Sequence, residues 1–342
     1  MKKKVIVGFS GGKDSTAALI LLKNKGYEVR GLTMKIGLNG EEENIEKIKD
    51  LANLLEIPLK VLDVKDIFKE KVIDYFINSY KLGITPNPCV ICNKEIKFKV
   101  LKDFVFKKEG ADLYATGHYA KKVNIGGSFF LKEPAEKEKS QNYFLSMISR
   151  EDLRDVIFPL ADVKIEKVKG IVKGLPLVNM KESQDICFLQ HQPLTGYLKK
   201  QVPLNAFKKG DILDIKGNKI GTHKGALYFT IGQRRGTNFS SDKRQYVIKK
   251  DMNNNTIYLG EEKLLYSNDL IVKKPVFWRE IEMGELLKIK VRYLSEFSEA
   301  HIIEVADDFI KARFKAPKRA VTPGQIGVFY DKDIIVASGY IV

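Results

Sequence analysis

Val5-Ile6-Val7-Gly8-Phe9-Ser10-Gly11-Gly12-Lys13-Asp14-Ser15 is the stretch on which the fold turns. A short apolar run ends at Gly8, glycines follow at 11 and 12, and Asp14 to Lys25 then sets Ala17, Ala18, Leu21 and Leu22 on one helical face. The order is strand, tight loop, helix. At the carboxyl end of a parallel strand such a loop is suited to a nucleotide. Glycines let the backbone approach an anion, and the helix start offers N–H donors at its positive dipole end. Ser10 and Ser15 add hydroxyls, and Asp14 beside a phosphate reads as a magnesium contact or a helix cap. A Walker A loop is excluded because the Lys it requires six residues beyond Gly8 is Asp14, and the string is not G-x-G-x-x-G either.

Beyond this loop, strand and helix signals alternate. Val29–Ile36, Leu59–Val64 and Leu113–Thr116 read as strands, the last ending at Gly117. Ile45–Leu55, Ile67–Tyr80 and Ile96–Lys108 carry helical spacing. Alternation of this kind predicts a parallel sheet with right-handed crossovers. After Cys187 the long helical period is lost. Gly210–Asp214, Ile215–Ile220, Gln245–Ile248 and Thr256–Leu259 read as short strands between turns. From Asp269 on, Leu286–Tyr293, His301–Val305, Ile310–Phe314, Gly327–Tyr330 and Ile334–Ser338 have the spacing of a small antiparallel barrel. The predicted division is 1–190 for the α/β nucleotide domain, 191–266 for a small, mostly β central domain, and 267–342 for the barrel.

The chain has 342 residues, 44% of them hydrophobic and 30% charged, which excludes a disordered or collagen-like polymer. No apolar run approaches the roughly 20 residues that span a bilayer. The start, Met1-Lys2-Lys3-Lys4, leads straight into the first strand, so a cytoplasmic protein without a membrane partner is expected. The net charge of +16 is spread over both halves. It calls for a polyanionic partner, with nucleic acid favoured over solvated lysine faces. Basic runs at Arg234-Arg235, Lys249-Lys250 and Arg313–Arg319 lie among Tyr and Phe, as phosphate contacts or as strand edges protected by charge.

Three cysteines cannot form a full disulfide framework. Cys89 and Cys92 form C-x-x-C in Thr85-Pro86-Asn87-Pro88-Cys89-Val90-Ile91-Cys92-Asn93-Lys94-Glu95, and Cys187 lies far downstream in Ile186-Cys187-Phe188. Metal binding, catalysis and simple burial are all open to them. Of the four histidines, His118 follows Gly117 at the end of a strand and so belongs near the pocket. A mixed zinc site of the three cysteines and His118 is compatible with zinc chemistry, although the long gap weakens it.

Ser10-Gly11-Gly12-Lys13-Asp14-Ser15 resembles the PP-loop of ATP pyrophosphatases, which adenylate a carbonyl oxygen and release pyrophosphate. The cysteine block, with Cys92-Asn93-Lys94-Glu95-Ile96-Lys97-Phe98, is similar to the signature of tRNA-specific 2-thiouridylases. The likeness continues through Ala115-Thr116-Gly117-His118-Tyr119, Gln141-Asn142-Tyr143-Phe144-Leu145, Ile186-Cys187-Phe188, Tyr228–Arg234 and Ala320–Gln325, in family order. The resemblance implies an adenine nucleotide α-hydrolase-like domain followed by central and barrel domains. It also implies ATP at Gly8, Phe9, Ser10, Gly11, Gly12, Lys13, Asp14, Ser15, Met34 and Gly117, with Mg2+ on the triphosphate. Cys92 falls on the nucleophile and Cys187 on the persulfide carrier. Asn87, Pro88, His118, Lys139, Ser140, Gln141, Arg292, Tyr293 and Gln325 fall on tRNA-contacting positions.

The implied reaction makes the uridine C2 oxygen part of AMP, a good leaving group, after which sulfur attacks C2. The implied partners are tRNA and a sulfur donor: a cysteine desulfurase, a relay protein or sulfide. A monomer is expected. The chain departs from the family pattern at Cys89, where an Asp is usual, at Ser140, where an Asp is common, and in a shortened stretch between Met34 and Ile45. The additional thiol leads to the expectation that Cys89, Cys92 and Cys187 are catalytic together and hold a [4Fe–4S] cluster whose fourth iron presents sulfide, the alternative being that Cys89 is a spectator beside an ordinary persulfide pair of Cys92 and Cys187. Three other readings are a thiolase of another RNA position, a PP-loop enzyme that adenylates a small molecule, and an RNA-binding Fe–S or zinc protein without turnover.

Overall fold

The structure, a computed structural model, describes residues 2–178, 186–202, 207–237, 239 and 243–342. The chain divides into two compact units. One comprises Met1–Val72, Cys89–Phe188 and Tyr330–Ala337, and the other Ile73–Pro88, Leu189–Phe329 and Ser338–Val342.

In the first unit the strands are β1 (Lys4–Gly8), β2 (Glu28–Lys35), β3 (Leu59–Asp63), β4 (Leu113–Thr116), β5 (Lys121–Ile125), β6 (Ser128–Lys132) and β7 (Val156–Ile157). Five of them form one sheet in the order β3-β2-β1-β4-β7. Every pairing in it is parallel, with Val5 opposite both Val29 and Leu113. Strand order therefore reverses at β1, and ligands of open α/β sheets bind outside the carboxyl ends at such a point. The helix α1 (Lys13–Asn24) leaves β1 there, and α2 (Glu41–Leu54) follows β2.

Val5, Val7, Phe9, Leu19, Leu22, Ile48 and Leu51 share one core between sheet and helices. Ala17 and Ala18 turn to a second cluster with Leu160, Val168 and Val172. Methyl-sized side chains there let the helix Ile165–Ile171 come close to α1. The expected helices at 67–80 and 96–108 are present, but each contains a π-helical stretch, Lys69–Ile73 and Cys92–Leu101. The hairpin β5–β6 has no counterpart in the sequence reading, although Asn124 Oδ1 accepts the Gly127 N–H in its turn.

In the second unit β8 (Gly210–Leu213), β9 (Lys219–His223), β10 (Tyr246–Asp251) and β11 (Thr256–Gly260) form a sheet ordered β10-β11-β8-β9. The strand expected over Ile215–Ile220 is a turn for its first half. Asp214 Oδ1 accepts the N–H groups of Lys216 (2.8 Å) and Asn218 (2.9 Å), and Gly217 takes φ +85°, so pairing resumes only at Lys219. Then come β12 (Tyr266–Phe277), β13 (Leu286–Lys290), β14 (Ser298–Val305), β15 (Phe309–Arg319), β16 (Ile326–Asp331) and β17 (Ile334–Ile341). They run in the order β12-β15-β14-β13-β16-β17, and a β12–β17 pairing closes the ring into a six-stranded antiparallel barrel. Closure removes the exposed edges. The strand expected to reach Tyr293 stops at Lys290, because Arg292 and Ser295 close a turn on each other.

Candidate active site

The loop from Ser10 to Ser15 is held by its own hydroxyls. The Ser10 N–H donates to Ser15 Oγ (3.2 Å), the Ser10 and Ser15 Oγ atoms are 3.2 Å apart, and Ser15 Oγ donates to the Gly12 carbonyl (3.1 Å). Gly12 is the helix N-cap and no side chain caps it. Asp14 is therefore a first-turn residue and not the cap. Gly11 has φ +70°, and a Cβ there would lie 2.6 Å from Val178 Cγ2, so glycine is required on both conformational and steric grounds. Gly117 is required by proximity alone: its Cβ would lie 2.7 Å from the Asp14 carbonyl carbon and from the Ser15 nitrogen. The residue after β4 thus presses backbone to backbone on the first turn of α1. Phe9 is buried in the core, and Met34, half-buried, lies at the carboxyl end of β2 opposite Leu62.

Pro88 opens the helix Pro88–Ile91, a position that costs no backbone bond, and the helix carries Cys89 into the π-helical stretch that begins at Cys92. Extra residues in a π turn often mark functional sites. Here they bury Cys92, Asn93, Ile96 and Phe98 together. Asn93 Nδ2 donates to the Phe144 carbonyl (3.1 Å), tying this segment to the Gln141–Leu145 block. Burial pushes the Cys89 thiol up to about 11 and the Cys92 thiol up to about 12. The charge of Cys187 raises both further. Cys187 itself is exposed at the surface, although its crowded surroundings also raise its pKa.

Lys97, absent from the expected site residues, opposes the shift at all three thiols and also disfavours a charged His118. Its signal in the sequence is its place five residues after Cys92 within one helix. A second residue the sequence reading missed is Glu41. It is buried and its carboxylate accepts the N–H groups of Ile36 (2.8 Å), Gly37 (2.7 Å) and Leu38 (3.2 Å), fixing the shortened loop after Met34.

The donor set does not fit the expected [4Fe–4S] cluster or a zinc ion. Among the described residues no three of His, Cys, Asp and Glu are gathered as metal ligands.

The residues expected at RNA are dispersed. His118 is 8% exposed, bonded through Nδ1 to Thr116 Oγ1 (2.8 Å) and packed by Phe98 and Phe158. Burial holds its pKa well below the ordinary value, so it is neutral. Lys139 ends a short 3-10 turn, and Ser140 is buried behind it. Gln141 Oε1 accepts the Tyr119 N–H (2.9 Å). In the second unit Arg292 donates to the Ala320 carbonyl (2.8 Å) and to Thr322 Oγ1, bracing the turn before Gln325, and Tyr293 follows it, half-buried. Gln325 Nε2 donates to the Thr85 carbonyl (3.0 Å), and the Thr85 N–H donates to the Pro323 carbonyl (3.0 Å). These bonds fix the segment that leads to Asn87 and Pro88.

A loop made to hold phosphates at the switch point of a parallel sheet, with buried thiols in the same unit, defines an α/β nucleotide-binding protein equipped for sulfur chemistry. Sequence families described as a tRNA methyl transferase HUP domain, a tRNA methyl transferase PRC-barrel domain and an aminomethyltransferase beta-barrel domain match residues 3–191, 196–261 and 267–341. The tRNA-specific 2-thiouridylase of Clostridium acetobutylicum is 38% identical, covering 100% of both chains. That of Clostridioides difficile is 41% identical over 100% of this chain and 98% of the relative, and that of Treponema denticola 39% over 99% and 97%. The chain belongs to the family of tRNA-specific 2-thiouridylases.

Proposed function

We propose that this protein is an ATP-dependent sulfurtransferase that converts a tRNA uridine, at the wobble position, to 2-thiouridine. The observation that carries the reading is the seating of the phosphate loop against Gly117 in the same compact unit as Cys89, Cys92 and Cys187. The named relatives, matched over essentially the whole chain, support the substrate class.

The backbone N–H groups at the start of α1, with Ser10 and Ser15, bind the phosphates of ATP. The carboxylate of Asp14 suits Mg2+, which would neutralise triphosphate charge. The uridine C2 oxygen attacks the α-phosphorus and pyrophosphate leaves. The terminal sulfur of a Cys187 persulfide then bonds to C2 as AMP departs. The Cys92 thiolate attacks the Cys187 sulfur, forming a Cys92–Cys187 disulfide and leaving the outer sulfur on C2. An external thiol reductant restores both thiols, and a desulfurase or relay protein reloads Cys187. The exposure of Cys187 fits delivery from outside, and the burial of Cys92 fits an attacker shielded from solvent oxidants. Asn87, Pro88, Lys139, Ser140, Gln141, Arg292, Tyr293 and Gln325 are proposed to hold the tRNA, and a cytoplasmic monomer with the 1–190, 191–266 and 267–342 division is proposed. Among the described residues no helix is long and apolar enough to cross a membrane.

Purified protein given tRNA, ATP and a persulfide source should yield 2-thiouridine by nucleoside mass spectrometry, with pyrophosphate release that requires RNA. Ser10→Ala and Asp14→Ala should lose both, and Cys92→Ser and Cys187→Ser should lose thiolation. Cys89→Ala should keep at least a third of the wild-type rate and bind no iron after anaerobic reconstitution. Pyrophosphate released equally without RNA would instead identify an enzyme that adenylates a small molecule.

A further inference from the structure

Tyr119 is 2% exposed, and its ring packs with Ala17, Ala18, Leu160 and Val168. Three hydrogen bonds leave it in two directions. Its hydroxyl donates to Asp14 Oδ1 in the phosphate loop (3.2 Å). Its backbone is locked to Gln141 from both sides: the Tyr119 N–H donates to Gln141 Oε1 (2.9 Å), and the Gln141 N–H donates to the Tyr119 carbonyl (2.8 Å). Two residues upstream, Gly117 lies against the Asp14–Ser15 backbone with no room for a methyl group. A buried ring fixed at its backbone cannot reorient without moving its hydroxyl.

We propose that Tyr119 is a positioning residue that couples RNA engagement at Gln141 to the setting of the Asp14 carboxylate in the ATP site. The proposal rests on the function assigned above. Gln141 uses its amide oxygen on Tyr119, while its Nε2 donors lie on the other branch of the same planar group and are suited to an RNA acceptor. Ordering that amide on RNA holds the Tyr119 backbone, and through the ring it holds the hydroxyl on Asp14. Asp14 is only half-buried and lies 3.9 Å from Lys13, and the Tyr119 hydroxyl adds a donor from the buried side. A carboxylate bonded in one rotamer presents a fixed oxygen to the triphosphate and its counterion. The arrangement makes ATP handling sensitive to RNA, and by linkage makes RNA affinity sensitive to ATP to the same factor.

The test is a thermodynamic square: tRNA affinity measured with and without a non-hydrolysable ATP analogue and Mg2+, in wild type and in Tyr119→Phe. Removing only the hydroxyl keeps the ring in its core, and the melting temperature checks this. Wild type should bind tRNA several-fold more tightly with the analogue, and in Tyr119→Phe that ratio should fall to near one. Gln141→Glu retains an acceptor for the Tyr119 N–H and should keep the ratio while weakening tRNA binding in both arms. Gln141→Met should lose both, giving a second reading if Tyr119→Phe proves unstable. A merely structural role would shift both affinities together and leave the ratio unchanged. That result, or a wild-type ratio of one with both ligands bound, overturns the coupling alone. Wild-type protein that binds neither ligand removes the proposed function along with it.

Discussion

Sulfur transfer needs a thiolate, and the proposed nucleophile, Cys92, lies where a thiolate is costly. Cys92 is pushed up to about 12 by burial, and Lys97 is the cation that works against that shift. The ammonium stabilises the charged form, so removing it raises the thiol pKa and lowers the thiolate fraction at any given pH. Lys97→Met should therefore move the rising limb of the single-turnover thiolation profile to higher pH. At pH 8 the rate should fall on the order of tenfold, with ATP affinity unchanged. Lys97→Arg should restore most of the rate. An unshifted profile in Lys97→Met would separate the lysine from the thiols. The same lysine makes protonation of buried His118 still less favourable. His118 is therefore expected to act as a neutral group, bonded to Thr116, across the working pH range.

At the level of elements, the site depends on how closely β4 meets the loop after β1. Gly117→Ala would place a methyl carbon 2.7 Å from the backbone of Asp14 and Ser15, so the loop or the strand must shift. Overpacking of this kind costs about 1–3 kcal/mol. Because the displaced atoms are those that cradle phosphate, ATP affinity should fall by at least tenfold while the barrel is unaffected. Gly170 is the control. It lies inside the helix Ile165–Ile171, and its Cβ would meet nothing within 4 Å. Gly170→Ala should stabilise the protein by roughly 0.5–1 kcal/mol with no effect on ATP. Calorimetric ATP titration alongside thermal melts checks both. An unchanged ATP affinity in Gly117→Ala would mean that the close approach does not shape the site.

On the scale of the whole molecule, a net charge of +16 predicts an association driven by counterion release. The logarithm of the tRNA association constant should fall linearly with the logarithm of salt, with a slope of roughly −3 or steeper, if at least four phosphates are neutralised. A flat dependence would contradict the polyanion reading. Arg292→Ala should weaken tRNA binding without touching ATP affinity. Since its guanidinium also braces Ala320 and Thr322, the same change should lower the melting temperature, and the two effects are told apart by the salt slope.

The sequence by itself determined the parallel sheet, the phosphate loop and the antiparallel character of the second half. Each of these follows from local information: apolar period, glycine position and turn residues within a few positions of one another. It also carried the family likeness, because the motif blocks are contiguous and in order. The ending of the first predicted barrel strand at Lys290 and the turn at Ile215–Gly217 were not legible, since side-chain bonds from Ser295 and Asp214 override the strand pattern. The closure of the barrel depends on β12 meeting β17 across more than fifty residues, which no local pattern records. The donor set of the three cysteines was decided the same way. Composition supplied three sulfurs, but the burial of Cys92 in a π-helical turn and the exposure of Cys187 decided which of them can be reached from solvent. The bonds from Asp14 through Tyr119 to Gln141 join positions 105 and 22 residues apart, and only the packed structure brings them into one chain of contacts.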